Sequence, residues 1–166
     1  MTFALKPIHA DAIPEALEKA ERYRLLNEPA QAESICLDIL AVDRLHQQAL
    51  VMLLLSITDQ FGEGVSARSA KEILPRLERE YDREYYAGII CERLARTEVR
   101  GAKHGSSYSA YELLQDAMKH YQAAEKSRPP NNDDCILRWN ACVRFLQQHG
   151  NLKPRPAEMH QEILGE

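Results

Sequence analysis

Apolar residues recur at spacings of three and four along most of the chain, and no run alternates apolar and polar between turns. The first pattern is that of a helix with one buried stripe, the second that of a half-buried strand. The chain is therefore expected to be all-α, with little or no sheet. Proline, glycine and asparagine clusters cut the pattern into about seven helices. The first runs over 13–26, with Pro14 in its opening turn and Leu17, Ala20, Tyr23 and Leu25 or Leu26 inward. The second covers 30–42. The third, 47–61, is apolar on nearly all sides from Ala49 to Leu55, so it is expected to be buried and central. The fourth begins near Ser66 and turns Ala67, Ala70, Ile73, Leu74 and Leu77 inward. Pro75 should kink it or end it early. The fifth, 82–99, has Tyr85 or Tyr86, Ile89, Ile90, Leu94 and Ala95 as its core side. Arg83, Glu84, Glu92, Arg93, Arg96 and Glu98 are assigned to its solvated side.

The clearest pair lies in 111–149. Leu113, Leu114, Ala117, Met118, Tyr121 and Ala124 form one stripe. Pro129 and Pro130 stop that helix. Asn132, Asp133 or Asp134 can cap the next, whose apolar surface comes from Leu137, Trp139, Ala141, Cys142, Phe145 and Leu146. A short turn between such helices makes them antiparallel neighbours. Residues 1–12 read as an irregular lead, 13–149 as one helical domain and 150–166 as a tail. In the tail, Pro156 can open a short helix over 157–164, with Met159, Ile163 and Leu164 on one side.

Two segments share a spacing: Ala32, Cys36, Ile39 and Arg44, then Ala117, Tyr121, Ala124 and Pro129. A small residue followed four later by a larger apolar one lets two helices approach closely. The spacing resembles the second helix of the tetratricopeptide repeat, with alanine, aromatic, alanine and terminating proline. Ala20 and Tyr23 match the small and aromatic positions of the preceding helix, and Gly88 and Cys91 stand as their later counterparts. Cys36 and Arg44 depart from the aromatic and the proline, and Trp139 stands where a small residue is usual. Ala32 and Ala117 are separated by more than two repeats of about 34 residues. The excess lies in a longer fifth helix and the following loop. The resemblance implies antiparallel helix pairs stacked as a short right-handed solenoid. It also implies a concave face made by the first helices of each pair. Here that face would carry Leu17, Glu21 and Arg24, then Val51, Leu55 and Thr58, a groove more apolar than basic.

Composition narrows the function. Hydrophobic residues make up 45% of the chain, too many for disorder throughout. The net charge of −4, with both signs interspersed, argues against a nucleic-acid surface. No leader is apparent at the N-terminus, and the longest apolar run, 49–55, is far too short to span a membrane. Cys36, Cys91, Cys135 and Cys142 form no CxxC and read as reduced core residues of a cytoplasmic protein. The six histidines form no HxxxH or HExxH pair, so no metal is expected. No cofactor motif and no nucleophile with a base at a recognisable spacing occurs, so no catalytic residue is named.

The stretch 100–109, RGAKHGSSYS, is read as a basic, glycine-rich loop. Arg100, Lys103, His104, Ser106 and Ser107 could together hold an anion at a helix start. It lacks the Walker order and a preceding strand, and its serines equally suit capping of the sixth helix. Three functions follow. The leading expectation is a non-enzymatic interaction module that binds a peptide or helix of another protein. The second is a phosphate or small-molecule binder, or an enzyme, using the 100–109 loop. The third is a self-associating structural protein, a homo-oligomer.

Overall fold

The computed structural model describes residues 2–157. Those residues are all-helical, with seven α-helices and no strand. The helices are α1 (Ile13–Leu25), α2 (Pro29–Val42), α3 (Gln47–Asp59), α4 (Ala67–Lys71), α5 (Glu80–Gly101), α6 (Ser106–Glu125) and α7 (Asp134–Gln148). Short 3-10 turns occupy Ala10–Ala12 and Leu74–Arg76. The chain forms two compact units, Met1–Arg83 and Glu84–Glu166, and the division falls in the first turn of α5.

In the first unit, α1 begins with Pro14 in its first turn. It ends at Leu25, and Asn27 just beyond has a φ of 59°, the left-handed conformation that asparagine tolerates after a helix. The Glu28 amide donates back to the Tyr23 carbonyl at 2.8 Å, and Pro29 opens α2 in its favoured place. α2 packs against both α1 and α3. Arg24, near the end of α1, donates to Asp59 at the end of α3 over 2.6 Å. These two helices therefore run parallel. Gln60, just past α3, donates to Glu33 at the start of α2 over 2.6 Å, so α2 runs opposite to both. Ala20, Ala32 and Ala49 are fully buried where the helices meet.

α3 is buried along most of its circumference, including Leu50, Leu53, Leu54, Ser56, Ile57 and Thr58. Burying a leucine or isoleucine side chain contributes about 1.5–3 kcal/mol, so α3 carries much of this unit's stability. His46 caps it, its Nδ1 accepting the Ala49 amide at 3.3 Å. Ser66 caps α4 by accepting the Arg68 amide. α4 stops at Lys71, four residues before Pro75, as the position of that proline requires. Ile73 and Leu77 then bury themselves from non-α-helical backbone. The Gln47 side chain holds this segment to the head of α3, donating to the Arg76 carbonyl and accepting the Glu78 amide.

In the second unit, α6 and α7 pack against one another. Arg138, early in α7, and Tyr121, late in α6, meet the same carboxylate of α5. Arg155, beyond α7, reaches back to Glu112 near the start of α6 at 3.3 Å. α7 is thus antiparallel to α6. Leu152 is buried, and the Arg155 guanidinium lies 5.9 Å from the Tyr108 ring, so the first part of the tail packs on this unit. Residues 158–166, with Met159, Ile163 and Leu164, lie outside the described residues.

Several side chains sit differently from the periodicity's expectation. Leu25 and Leu26 are exposed rather than inward; they fall where α1 gives way to the left-handed turn. Leu137 is also exposed, and Cys135 and Cys142 take the buried stripe of α7. The segment 100–109 is mostly helix: α5 runs to Gly101 and α6 starts at Ser106. Only 102–105 connects them, with left-handed backbone at Ala102 and Gly105.

Gly88 is buried against Tyr121, and a Cβ placed on it would lie 2.5 Å from a carbon of that ring. Alanine is favoured over glycine in a helix by about 1 kcal/mol, while overpacking costs about 1–3 kcal/mol. The ring cannot yield easily because its hydroxyl is anchored. Gly88→Ala is therefore expected to lower stability by up to about 2 kcal/mol once its helix preference is offset. Denaturant melts of the two proteins check this, and a more stable Gly88→Ala protein would contradict it.

Candidate functional site

The expected groove residues lie on two parallel helices of the first unit. Leu17, Glu21 and Arg24 are on α1, and Val51, Leu55 and Thr58 are on α3. Leu17, Val51 and Leu55 are half-buried and Glu21 is exposed. Arg24 is engaged by Asp59 in a 2.6 Å ion pair that is itself mostly buried. Thr58 is buried, and its hydroxyl donates to the Leu55 carbonyl at 2.8 Å. Surface for a ligand therefore narrows to Leu17, Glu21, Val51 and Leu55. Where α1 and α3 end, Asn27, Glu28, Pro29, Ala30, Asp59 and Gln60 help line an open cavity of about 280 Å³ with mixed polar and apolar walls.

The expected anion residues are in the second unit. Arg100 is exposed near the end of α5, its Nε directed to the Arg96 carbonyl. Lys103 and His104 are exposed in the link, Ser107 is half-buried and Ser106 is buried. The Ser106 amide already donates to the Lys103 carbonyl at 3.0 Å. Gly105 occupies the cap position of α6, and no side chain caps that end. The serines are therefore first-turn residues.

Sequence reasoning missed the most concentrated group of charges. Glu92, assigned to the solvated side of its helix, is 0% exposed. Tyr121 donates to its Oε2 at 2.8 Å. Arg138 grips both oxygens, Nη2 to Oε1 at 2.7 Å and Nε to Oε2 at 3.1 Å. Arg96, one turn along α5, adds Nη2 to Oε1 at 3.0 Å and stacks over the Phe145 ring at 4.6 Å. A signal was present. Gly88, Glu92, Ala95 and Val99 share one stripe of α5, and Arg138 lies between Cys135 and Cys142 on α7. Assigning every charged residue to solvent hid it.

Electrostatics follow from this burial. Tyr121 is held far above the ordinary phenol range by burial first and the Glu92 charge second, so it stays a donor. Burial works against the Arg138 charge, but Glu92 and the Tyr121 hydroxyl outweigh it and raise the guanidinium above its usual value. Every buried polar side-chain atom among the described residues has a partner. A carboxylate with all its lone pairs occupied and no solvent path is poorly placed to act as a general base. Its geometry is that of a lock joining α5, α6 and α7.

The thiols are equally quiet. Burial lifts Cys36 from 9.0 to about 12, with Arg24 pulling down and Glu33 pushing up more weakly. Cys142 rises to about 12, again through burial and then Glu92. Cys36, Cys135 and Cys142 are buried and form no disulfide, and the described residues contain no cluster of three or more metal-binding side chains. No described helix is long and apolar enough to cross a membrane. Comparisons with protein-family models, curated proteins and solved structures found no match.

The lock makes a distinctive prediction. Removing one partner of a buried ion pair costs about 3–5 kcal/mol, whereas replacing both with apolar groups is often neutral. Glu92→Leu and Arg138→Met should each destabilise strongly, and the double variant should be more stable than either. Chemical denaturation of the four proteins reads the cycle; additive losses would sink this account.

The thiols predict an alkaline limit. Their folded values are raised, so the contribution is intact below pH 9.0 and is lost as pH rises toward about 12. In that window the unfolded thiols release protons and the folded ones do not. Stability should fall there, less steeply in a Cys36→Ala, Cys142→Ala variant. Identical slopes in urea melts of the two proteins would count against it.

Proposed function

We propose that the chain is a tetratricopeptide-like interaction module whose first unit binds a peptide or helix of another protein. One observation carries this reading: α1 and α3 run parallel with their ends tied by Arg24 and Asp59. Val51, Leu55 and Thr58 each stand 34 positions after Leu17, Glu21 and Arg24, which is the repeat length of that family. The buried small residues Ala20, Ala32 and Ala49 support the same reading, since close helix packing in such repeats uses small side chains. On this view α1 and α3 are the first helices of successive pairs. Leu17, Val51 and Leu55 offer partly covered apolar surface, and Glu21 offers a charge beside it. Binding helices lay apolar anchors into such a groove at helical spacing. The groove carries no basic clamp, so an apolar or basic segment suits it better than an acidic tail.

The test starts from a peptide selected on the wild-type protein from a displayed library. Losing interface anchors typically costs about 2 kcal/mol, roughly 30-fold in Kd. Leu17→Ala with Leu55→Ala should weaken the peptide by that amount while circular dichroism stays unchanged. Lys103→Ala with His104→Ala should leave it alone. Unchanged affinity in the first variant would move the site elsewhere. A phosphate-dependent rise in Tm that vanishes in the second variant would instead favour an anion site at the α5–α6 link.

A further inference from the structure

The lead segment of the first unit carries two large apolar side chains that stand exposed among the described residues. Phe3 is 88% exposed and Leu5 is 93% exposed. Isolated surface leucines are ordinary, but a phenylalanine and a leucine two positions apart on a segment outside any helix form a projecting apolar pair. Pro7 follows, and the residue before a proline is driven to extended backbone. Lys6 lies between the pair and that proline.

The same segment then runs into a groove. Ile8, Ala12 and Ala16 from the lead and α1, and Ile35 from α2, line a cavity of about 280 Å³. An apolar cavity of about 150 Å³ is large enough to admit benzene, so a phenyl ring fits by volume. Glu15, Lys19 and Asp38 complete the lining, an excess of one negative charge. The projecting segment thus offers an aromatic ring, a leucine and a cation. The groove offers apolar walls and a net acidic rim. Both halves of this match belong to one unit of one chain, yet Phe3 and Leu5 do not cover the groove in their own molecule.

We propose that the lead segment of one chain docks in the α1–α2 groove of a second copy, and the reverse, giving a two-fold dimer. Phe3 and Leu5 supply the apolar anchors, and Lys6 meets Glu15 and Asp38 at the rim. The topology favours exchange. Ile8 is itself a groove wall, so each segment starts beside its own groove. Six residues can reach about 20 Å, enough to cross a nearby axis. When the exchange is reciprocal about a two-fold axis, both segments and both grooves are filled and the assembly closes at two copies. The contact uses few side chains, which places it among small interfaces that come apart on dilution.

Sedimentation velocity over a dilution series reads this directly, using the full chain. The wild type should have the mass of two chains when concentrated and of one chain when dilute. Phe3→Glu with Leu5→Glu should have the mass of one chain throughout, with an unchanged Tm, because both sites are exposed. Ala16→Glu, which blocks the groove, should likewise lose the two-chain species. Mixing the segment variant with the groove variant should recover pairs only at higher concentration than wild type needs, since one of the two segment–groove contacts remains intact between them. A one-chain mass for concentrated wild type overturns the proposal and leaves the projecting pair to a different partner. Pairing by the segment variant as strong as that of wild type overturns it too. Should Ala16→Glu fail to fold, the segment variant alone decides, because its substitutions touch no core residue.

Discussion

Close helix approach, achieved by deleting side chains at the points of contact, is the constraint that both units obey. In the first unit the deleted side chains are those of Ala20, Ala32 and Ala49, each fully buried. In the second, Ala95, Ala110, Ala117 and Ala124 are equally buried, and Gly88 leaves room for the Tyr121 ring. Interiors pack at crystal-like density, so a small residue on one helix determines the size of what faces it. Tyr121 fills the space above Gly88, and its hydroxyl then falls 2.8 Å from Glu92. Aromatic packing and buried charge are thereby one arrangement.

That charge constrains more than it stabilises. A carboxylate moved from water into a helix interface needs nearly all its hydrogen bonds replaced. Glu92 obtains them from α6, from α7 and from its own helix. Sliding α6 by one turn would carry the Tyr121 hydroxyl away by about 5.4 Å and leave an oxygen unpaired. An apolar stripe tolerates such a slip far better, because dispersion and burial are non-directional. The register of the second unit is therefore specified by polar geometry, and the amount of buried surface alone would not specify it.

Periodicity made the helices legible because each one repeats its signal many times. Proline and glycine marked most ends, as with Pro14, Pro29 and Pro75. Single positions were harder. Leu25, Leu26 and Leu137 read as core by type and spacing, yet they are exposed, because a helix end or a wide stripe offers more apolar positions than the neighbour can cover. Glu92 read as surface by type alone. The 100–109 stretch read as a loop because glycine, lysine and serine dominate it. Helices nonetheless extend into it from both sides, since Gly101 closes α5 and serines suit the first turn of α6. For the candidate groove, α1 and α3 were legible as helices. That Arg24 and Thr58 would be engaged by Asp59 and the Leu55 carbonyl was not, because those partners depend on tertiary contacts.

The two departures from ordinary patterning point in opposite directions. An ion inside a helix interface is costly unless every partner is present, so its surroundings must be rigid and specific. Apolar side chains outside cost little per residue while isolated, and they gain when a second surface covers them. The second unit holds its exception, Glu92, closed on all sides within the chain. The first unit leaves Phe3 and Leu5 open beside a groove of suitable size, as it leaves Leu25 and Leu26 open at the end of α1. A saturated polar cluster has no valence left for a ligand, whereas an uncovered apolar pair does. Recognition is therefore expected from the uncovered surfaces of the first unit, and the Glu92 cluster is expected to serve architecture.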